Sequence, residues 1–203
     1  MGRYLLLMLP LILLTAGCAV PVKTEMGSVV LPAPALEKLP VTVGVLYTDE
    51  FKTAKHIQKV SGIADLDLSI GPANMSLFDQ LTTSMFSDVV YIDPKNPEEL
   101  SQRGVDAILE PSLVSIHYDY MLTGELRLSL SLVYNIKLYL SDGTEILTFS
   151  IQSNPPPIFN APNNPAVHVP ELFDNATREI AAQFYAEFHN RPEVVTWLKT
   201  VER

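Results

Sequence analysis

The chain has 203 residues and a mass of 22.5 kDa, enough for one domain with a hydrophobic core. Its 23 acidic residues outnumber 14 basic ones, and the net charge of −9 argues against a nucleic-acid binder or a protein held on anionic lipid by charge alone. The single cysteine excludes an internal disulfide and a multi-cysteine metal site.

The N-terminal segment has the composition of a secretory signal peptide. Arg3 gives it a positive start, residues 4–14 are apolar apart from Pro10, and residues 15–17 are small. Eleven helical residues reach about 16 Å, roughly half the thickness of a bilayer's hydrocarbon core. We therefore predict a signal peptide over residues 1–17 rather than a spanning helix.

The end of this segment carries the only cysteine. Leu-Thr-Ala-Gly-Cys at residues 14–18 resembles the lipobox of bacterial lipoproteins, in which the cysteine is acylated and becomes the new N-terminus. The resemblance implies lipidation of Cys18, with palmitate among the attached chains, whereas the alternative is an ordinary signal peptide with a chance cysteine. Because residue 19 is Ala and not Asp, the resemblance also implies anchoring at the outer membrane, facing the periplasm. Several acyl chains on one residue hold a protein on a membrane without a spanning helix.

Without residues 1–17, 13 basic residues face 23 acidic ones, a net charge of −10. Residues 18–40 contain four prolines and few charges, so we predict a lipidated, proline-rich tether followed by a periplasmic domain over residues 41–203. The alternative is that residues 29–31 pack on the domain as an edge strand.

The first half of the domain alternates strands and helices. Residues 39–47 predict a buried strand, residues 74–86 a helix with Asn74 as its N-cap, residues 88–92 a short strand and residues 97–104 a brief helix. Residues 105–120 predict a further strand that Pro111 bends or interrupts.

The second half begins with the clearest periodicity in the chain. Apolar residues occupy alternate positions from 128 to 140, which predicts a strand with one buried face, and Asp142-Gly143 predicts a hairpin to a strand at residues 145–151. The six prolines of residues 152–170 predict neither ladder nor helix. A helix over about residues 170–189 follows, with an apolar stripe at Phe173, Ala176, Ile180, Phe184 and Phe188, and a short last helix begins at Pro192.

These elements predict an α+β fold: a mixed, mainly antiparallel sheet of about five strands, with helices packed on one face. The chain resembles periplasmic lipoprotein domains related to the TolB N-terminal domain. The elements that carry the resemblance are the first strand, the helix ending Ser84-Met85-Phe86, the strand at 89–92, Val105-Asp-Ala-Ile-Leu109 and the long hairpin. That group includes the curli secretion-channel subunit and the lipoprotein activator of penicillin-binding proteins. The resemblance implies a non-catalytic assembly or regulatory role at the envelope, and it transfers no functional residue.

No nucleophile elbow or glycine-rich phosphate loop occurs, and the four histidines lack the spacing of common zinc sites. His117 and Asp119 share a strand face, and Asp65 and Asp67 lie two apart, but solvent-exposed polar faces explain both pairs. We therefore expect no enzyme activity, catalytic residue, cofactor or metal. The candidate partner contacts are Ile158 and Phe159, which lie either on a binding loop or on a strap with Phe159 in the core, and Trp197, which either packs or binds.

The sequence thus favours a non-enzymatic lipoprotein of the outer membrane that acts as an accessory or assembly factor of an envelope complex. Its expected partners are membrane lipid, through Cys18, and an envelope protein or further copies of itself. A peptidoglycan- or polysaccharide-binding lipoprotein is the alternative, favoured by the charge of the mature chain. An enzyme using His117, Asp119 or the Asp65/Asp67 pair is a third hypothesis.

Overall fold

A computed structural model of the protein describes residues 22–59, 66–92, 104–123, 125–159 and 165–201. The strands are β1 Val22–Glu25, β2 Leu39–Leu46, β3 Lys55–Gln58, β4 Leu66–Ser69, β5 Phe86–Ile92, β6 Ala107–Thr123, β7 Glu125–Tyr139, β8 Glu145–Gln152 and β9 Ile158–Phe159. The helices are α1 Asp49–Lys52, α2 Gly71–Met85, α3 Val169–Glu187 and α4 Pro192–Val201. Two 3₁₀ turns, Pro165–His168 and Phe188–Asn190, flank α3.

The larger sheet has six strands in the order β5-β2-β6-β7-β8, with β9 paired to β7. Strand β2 is parallel to both β5 and β6, whereas β6, β7 and β8 are antiparallel neighbours. The fold is therefore α+β with a mixed sheet, as predicted. The predicted number of about five strands is too low.

One face of this sheet carries the core. Along β7 the alternate residues from Leu128 to Leu138 are fully buried beneath α3, while α2 packs on β2 and β5 and reaches β7 at Tyr134. The predicted stripe of α3 is buried throughout, and Phe184 and Phe188 stack with ring centroids 5.0 Å apart. The opposite face of β7 is polar, which confirms the prediction of one buried and one wet face.

A second sheet of three strands was not predicted. Strand β4 pairs in parallel with β1 and antiparallel with β3, so that Lys23, Asp67 and Ile57 lie side by side. Leu66 and Leu68 point into the core from its other face. Because β1 and β4 are four residues each and far apart in sequence, neither has a local pattern that reveals the pairing.

The segment predicted as a tether over residues 18–40 packs on the domain along part of its length. Beyond β1, Met26 and Val29 are buried at 3% exposure. The Gln80 side chain binds the backbone on either side of Val30, since its Oε1 accepts from Leu31 N at 3.0 Å and its Nε2 donates to Val29 O. Packed structure is therefore present from Val22 onward, ahead of residue 41. Val29 and Leu31 pack on the domain as the alternative expects, but residues 29–31 do not form the expected edge strand.

Helix α2 begins at Gly71, three residues before the predicted N-cap. Asn74 is completely buried inside the helix, where its Oδ1 accepts a hydrogen bond from the Tyr134 hydroxyl at 2.7 Å. The start of α2 instead docks on the turn after α1, since Ile70 N and Gly71 N both donate to Ala54 O. A Cβ on Gly71 would lie 1.9 Å from the Lys52 carbonyl oxygen, so this approach requires glycine.

Two predictions about proline need correction. Pro111 does not interrupt β6, because it pairs with Ile136 in register; the irregularity lies between Leu113 and Ser115, where Val114 is the extra residue of a bulge. Within residues 152–170, Ile158–Phe159 forms a short ladder with β7 and Pro165–His168 forms a 3₁₀ turn. The predicted helix at 97–104 lies, apart from Gly104, outside the described residues.

The Asp142-Gly143 hairpin is confirmed. Gly143 has φ +87°, and Asp142 Oδ1 accepts from Thr144 N at 2.8 Å, a bond that lowers the pKa of the Asp142 carboxyl.

Within the described part of the chain, none of the helices is long and apolar enough to cross a bilayer.

Candidate functional site

Cys18 and the signal segment lie outside the described residues, so lipidation stays a prediction from sequence. The remaining described candidate residues fall in four separate places: the proline-rich segment, the last helix, the polar face of the large sheet and, for Asp67, the small sheet. A fifth place, a cleft beside β6, was not predicted.

Ile158 and Phe159 hold the proline-rich segment to the rim of the large sheet. They pair with Leu128 and Arg127 of β7, and Ile158 is half-buried against the core. Phe159 is 55% exposed, so the interpretation that placed its ring in the core is wrong. Its exposed ring is available to a partner, although nothing else in the structure assigns it one.

Trp197 lies on the inward side of α4 and is 4% exposed. Leu140 and Ile146 form with it a shallow, mainly apolar groove between the helix and the β7–β8 hairpin. The indole Nε1 is buried and has no hydrogen-bond partner among the described residues. Trp197 thus packs against the hairpin and is not presented at the surface, and its binding role stays a prediction.

His117 and Asp119 are in contact on the polar face of β6. His117 Nε2 lies 3.0 Å from Asp119 Oδ1, and more than half of each side chain is exposed. Asp67 is half-buried on β4, and Asp65 lies outside the described residues. Across the described ranges, no group of three or more His, Cys, Asp or Glu side chains is placed to hold a metal ion.

The cleft of about 430 Å³ lies where β2 ends and turns away from β6. One wall is the segment that follows β2, residues 48–56, and the other is β6 at residues 112–116. A sheet face presents alternate residues, whereas a strand edge presents consecutive ones. The five consecutive residues of β6 in this lining therefore show that the cleft runs along the edge of the strand.

Packing and hydrogen bonds fix the wall at residues 48–56. Thr48 caps α1, its Oγ1 accepting from Phe51 N at 3.2 Å. Phe51 is buried, stacks on Tyr47 with centroids 5.5 Å apart and meets Phe78 and Tyr134 edge-on. Since Ala54 O also binds the start of α2, this wall is held in place before anything enters the cleft.

The charges around the cleft balance. Glu50 and Lys55 are both exposed on the first wall, and serine, threonine and aliphatic side chains make up most of the rest. The half-buried His56 contacts Gln58, with its Nε2 lying 3.1 Å from the accepting Gln58 Oε1. The lining therefore offers hydrogen bonds and apolar contact, with one acidic and one basic side chain.

Behind this wall, Asp79 of α2 joins two tyrosines. Tyr47 Oη donates to Asp79 Oδ1 at 2.7 Å, and burial followed by this bond raises the Tyr47 pKa far above its usual value. Burial and the same carboxylate raise the pKa of the half-exposed Tyr91 to about 12. Both phenols are therefore neutral hydrogen-bond donors at physiological pH, which suits a structural role.

No family model matches the sequence, and no curated protein is significantly similar to it. Among solved structures, protein XCC0632 from Xanthomonas campestris, of the family DUF330, superposes with a TM-score of 0.56 at 13% identity, covering 90% of this chain and 100% of that one. A PelC dodecamer from Paraburkholderia phytofirmans gives 0.36 at 16% identity, covering 82% and 91%. Lipoprotein GNA1162 from Neisseria meningitidis gives 0.35 at 11% identity, covering 75% and 100%.

The chain shares its fold with XCC0632. Identity of 13% shows the fold alone, and the two lower scores carry no argument about this chain. The resemblance to the TolB N-terminal group stays a prediction from the order of elements.

The cleft had one signal in the sequence. Along most of β6 and β7 the inward residues are two apart, but Leu113 and Ile116, which are both half-buried against the core, are three apart. Such a slip in a period of two predicts a bulge, and bulges are frequent at sheet edges and next to binding sites.

Proposed function

We propose that this protein is a non-enzymatic lipoprotein, anchored through acylated Cys18 to the outer membrane and facing the periplasm, that acts as an accessory or assembly factor of an envelope complex. One observation carries the proposal: the only cysteine follows an apolar segment at the position that a lipobox requires. Strand β1 already occupies Val22–Glu25, so at most three residues lie between the proposed anchor at Cys18 and this strand.

Two features of the domain support a binding role. The cleft beside β6 has a preformed wall and a strand edge that no described strand pairs with beyond Leu109, features that suit a protein ligand. The His117–Asp119 pair is exposed on an open face, without the enclosed surroundings that raise the reactivity of catalytic groups. The double variant His117→Ala with Asp119→Ala tests the enzyme hypothesis, which predicts that this variant has a changed phenotype.

The anchor is tested by Cys18→Ser in cells supplied with labelled palmitate, with Ser28→Ala as the matched control because Ser28 is exposed. We expect the cysteine variant to lose the label and to leave the membrane fraction, while the control retains both. An unchanged distribution of Cys18→Ser would contradict the proposal. Ala19→Asp tests the membrane: we expect it to shift the protein from the outer to the inner membrane fraction.

The assembly role is tested by cross-linking in intact cells. We expect a specific envelope protein or a homo-oligomer, and a lone monomer without protein neighbours would count against the role.

The alternative of glycan binding has one supporting observation, a row of hydroxyl and amide side chains on the polar sheet face. Ser112, Asn135 and Ser150 lie in register there, and the Ser150 hydroxyl bonds to the Asn135 amide oxygen. This alternative predicts retention on peptidoglycan or a cationic polysaccharide, weakened by salt in the cationic case. Absence of retention would dismiss it.

A further inference from the structure

Strand β6 is twice as long as the neighbour that should cover it. On one side it pairs with β7 along its full length, from Ile108 to Thr123. On the other side it pairs with β2 only from Ala107 to Leu109, after which β2 ends and the chain turns into the wall of the cleft. The cleft thus occupies the position beside β6 where a longer β2 would pair with it.

The hydrogen bonds of the far side of β7 show which way the edge of β6 points. Leu132 exchanges bonds with Ser153, its N–H donating to Ser153 Oγ at 2.8 Å and its C=O accepting from Ser153 N at 2.9 Å. In an antiparallel ladder, opposite residues either bond each other or both point away. Ile116 lies opposite Leu132, so its N–H and C=O point away from β7, into the cleft.

The same alternation holds on both sides of the bulge. Leu113 lies opposite Tyr134, two residues from Leu132, and therefore also turns its backbone groups to the cleft. Tyr118, two residues beyond Ile116, already uses this edge: its C=O accepts from Gln58 Nε2 at 2.8 Å. Among the described residues, the backbone groups of Leu113 and Ile116 have no such partner on this side.

We propose that the cleft between residues 48–56 and β6 binds an extended peptide segment of the partner protein, which adds as a strand to the free edge of β6 at Leu113–Ile116. This inference rests on the proposed function, because it specifies how the envelope partner is held. The outward N–H and C=O groups of Leu113 and Ile116 flank the bulge, and such groups of a strand edge are complementary to another extended backbone. Residues 112–116 span about 13 Å, enough for four or five residues of an added strand.

The lining predicts the chemistry of that segment. Val114, extruded by the bulge and 54% exposed, offers an apolar contact at the centre of the edge. With Glu50 and Lys55 opposing each other in charge, the site has no preference for a strongly charged peptide. We therefore expect a segment of small and apolar residues whose affinity changes less than about threefold between low and high salt.

A photo-crosslinking amino acid in place of Val114 tests the position of the site in cells carrying the full-length, anchored protein. The same amino acid at Val195 and at Val30, which are exposed and do not line the cleft, provides the controls. We expect an adduct with one envelope protein at position 114. Adducts at the control positions alone would contradict peptide binding in the cleft but would leave the proposed assembly role intact. If no position gives an adduct and the protein is monomeric, both the binding site and the assembly role are contradicted. An adduct with a second copy of this chain would also overturn the inference.

The cross-linked segment, made as a synthetic peptide of about ten residues, then tests the mode of binding by calorimetry. N-methylation of alternate residues removes the donors of one side of an extended chain, so we expect one methylated set to lose at least tenfold in affinity and the other to bind as before. Equal effects of both sets would refute strand addition.

On the protein's side, Ile116→Pro removes a donor that faces the cleft and no ladder bond to β7, and Ile116→Val is its matched control. We expect the proline variant alone to lose peptide affinity, about tenfold. If it does not fold, the methylated peptides still decide the question.

Discussion

The Tyr134 hydroxyl donates a hydrogen bond of 2.7 Å to Asn74 Oδ1, and both side chains are completely buried. The bond joins the centre of β7 to the first turns of α2 across 60 residues of sequence. Asn74 Nδ2 has no hydrogen-bond partner in the described part of the chain, so among these residues the side chain bonds only through its carbonyl oxygen.

Removing either partner should therefore destabilise the fold. We expect Tyr134→Phe to lower the free energy of unfolding by about 1–3 kcal/mol, because the Asn74 carbonyl is left buried and unpaired. In the double variant Tyr134→Phe with Asn74→Leu, two apolar groups of similar shape replace the pair, and the loss should be smaller than the sum of the single losses. Urea denaturation at pH 7 measures all four proteins; additive losses would contradict the coupling.

Tyr134 also makes the free energy of unfolding depend on pH in the alkaline range. Burial raises the Tyr134 pKa well above 10, whereas the unfolded chain has an ordinary tyrosine pKa near 10. Its contribution is therefore complete below pH 10 and is lost as the pH rises further, by up to about 1.4 kcal/mol per pH unit. The stability advantage of the wild type over Tyr134→Phe should be constant from pH 7 to 9 and shrink from pH 10 to 11.5. A constant difference over the whole range would contradict the raised pKa.

Ser153 should contribute more to the stability of the fold than its position at a strand end suggests. It is completely buried, and its hydroxyl accepts the Leu132 N–H where the ladder between β7 and β8 ends. We expect Ser153→Ala to lose about 1–3 kcal/mol, since that N–H loses its acceptor. Thr148→Ala, at an exposed position of β8, is the control and should change stability by less than about 1 kcal/mol. Equal losses in thermal or urea denaturation would contradict this role.

Gly71 is the position where an added methyl group should be least tolerated. In an unconstrained helix alanine is more favourable than glycine by about 1 kcal/mol, but here its Cβ would lie 1.9 Å from Lys52 O, which is backbone and cannot rotate away. We expect Gly71→Ala to lose about 1–3 kcal/mol. Gly27→Ala, with no atom within 4 Å of its Cβ, should be nearly neutral. A stabilised Gly71→Ala protein would show that α2 does not approach Lys52 this closely.

Elements whose partners are near in sequence could be predicted. The alternation along β7, the Asp142-Gly143 turn and the stripe on α3 each depend on spacing that a local window contains. Short elements with distant partners could not: β1 pairs with β4 across more than 40 residues, and each offers four residues of pattern. Asn74 does not cap α2, because its carbonyl oxygen pairs with the hydroxyl of the distant Tyr134, a partner that no local rule identifies.

The cleft illustrates a different difficulty. It exists because β2 ends at Leu46 while the neighbouring β6 continues to Thr123. The cleft can therefore be inferred only when the lengths and the pairing of both strands are known. The spacing of Leu113 and Ile116 predicts the bulge, but the wall at residues 48–56 depends on contacts of Phe51 and Ala54 with elements far along the chain.

If Cys18 is acylated as proposed, the position of β1 at Val22–Glu25 limits the distance between the domain and the membrane. Between Cys18 and Val22 the polypeptide can stretch by about 14 Å at most, against roughly 75 Å had all of residues 18–40 been free. An acylated Cys18 would therefore keep the domain almost touching the lipid headgroups. Anything it recruits must come to the bilayer surface, and a second protein embedded there lies within easier reach than one on the peptidoglycan layer.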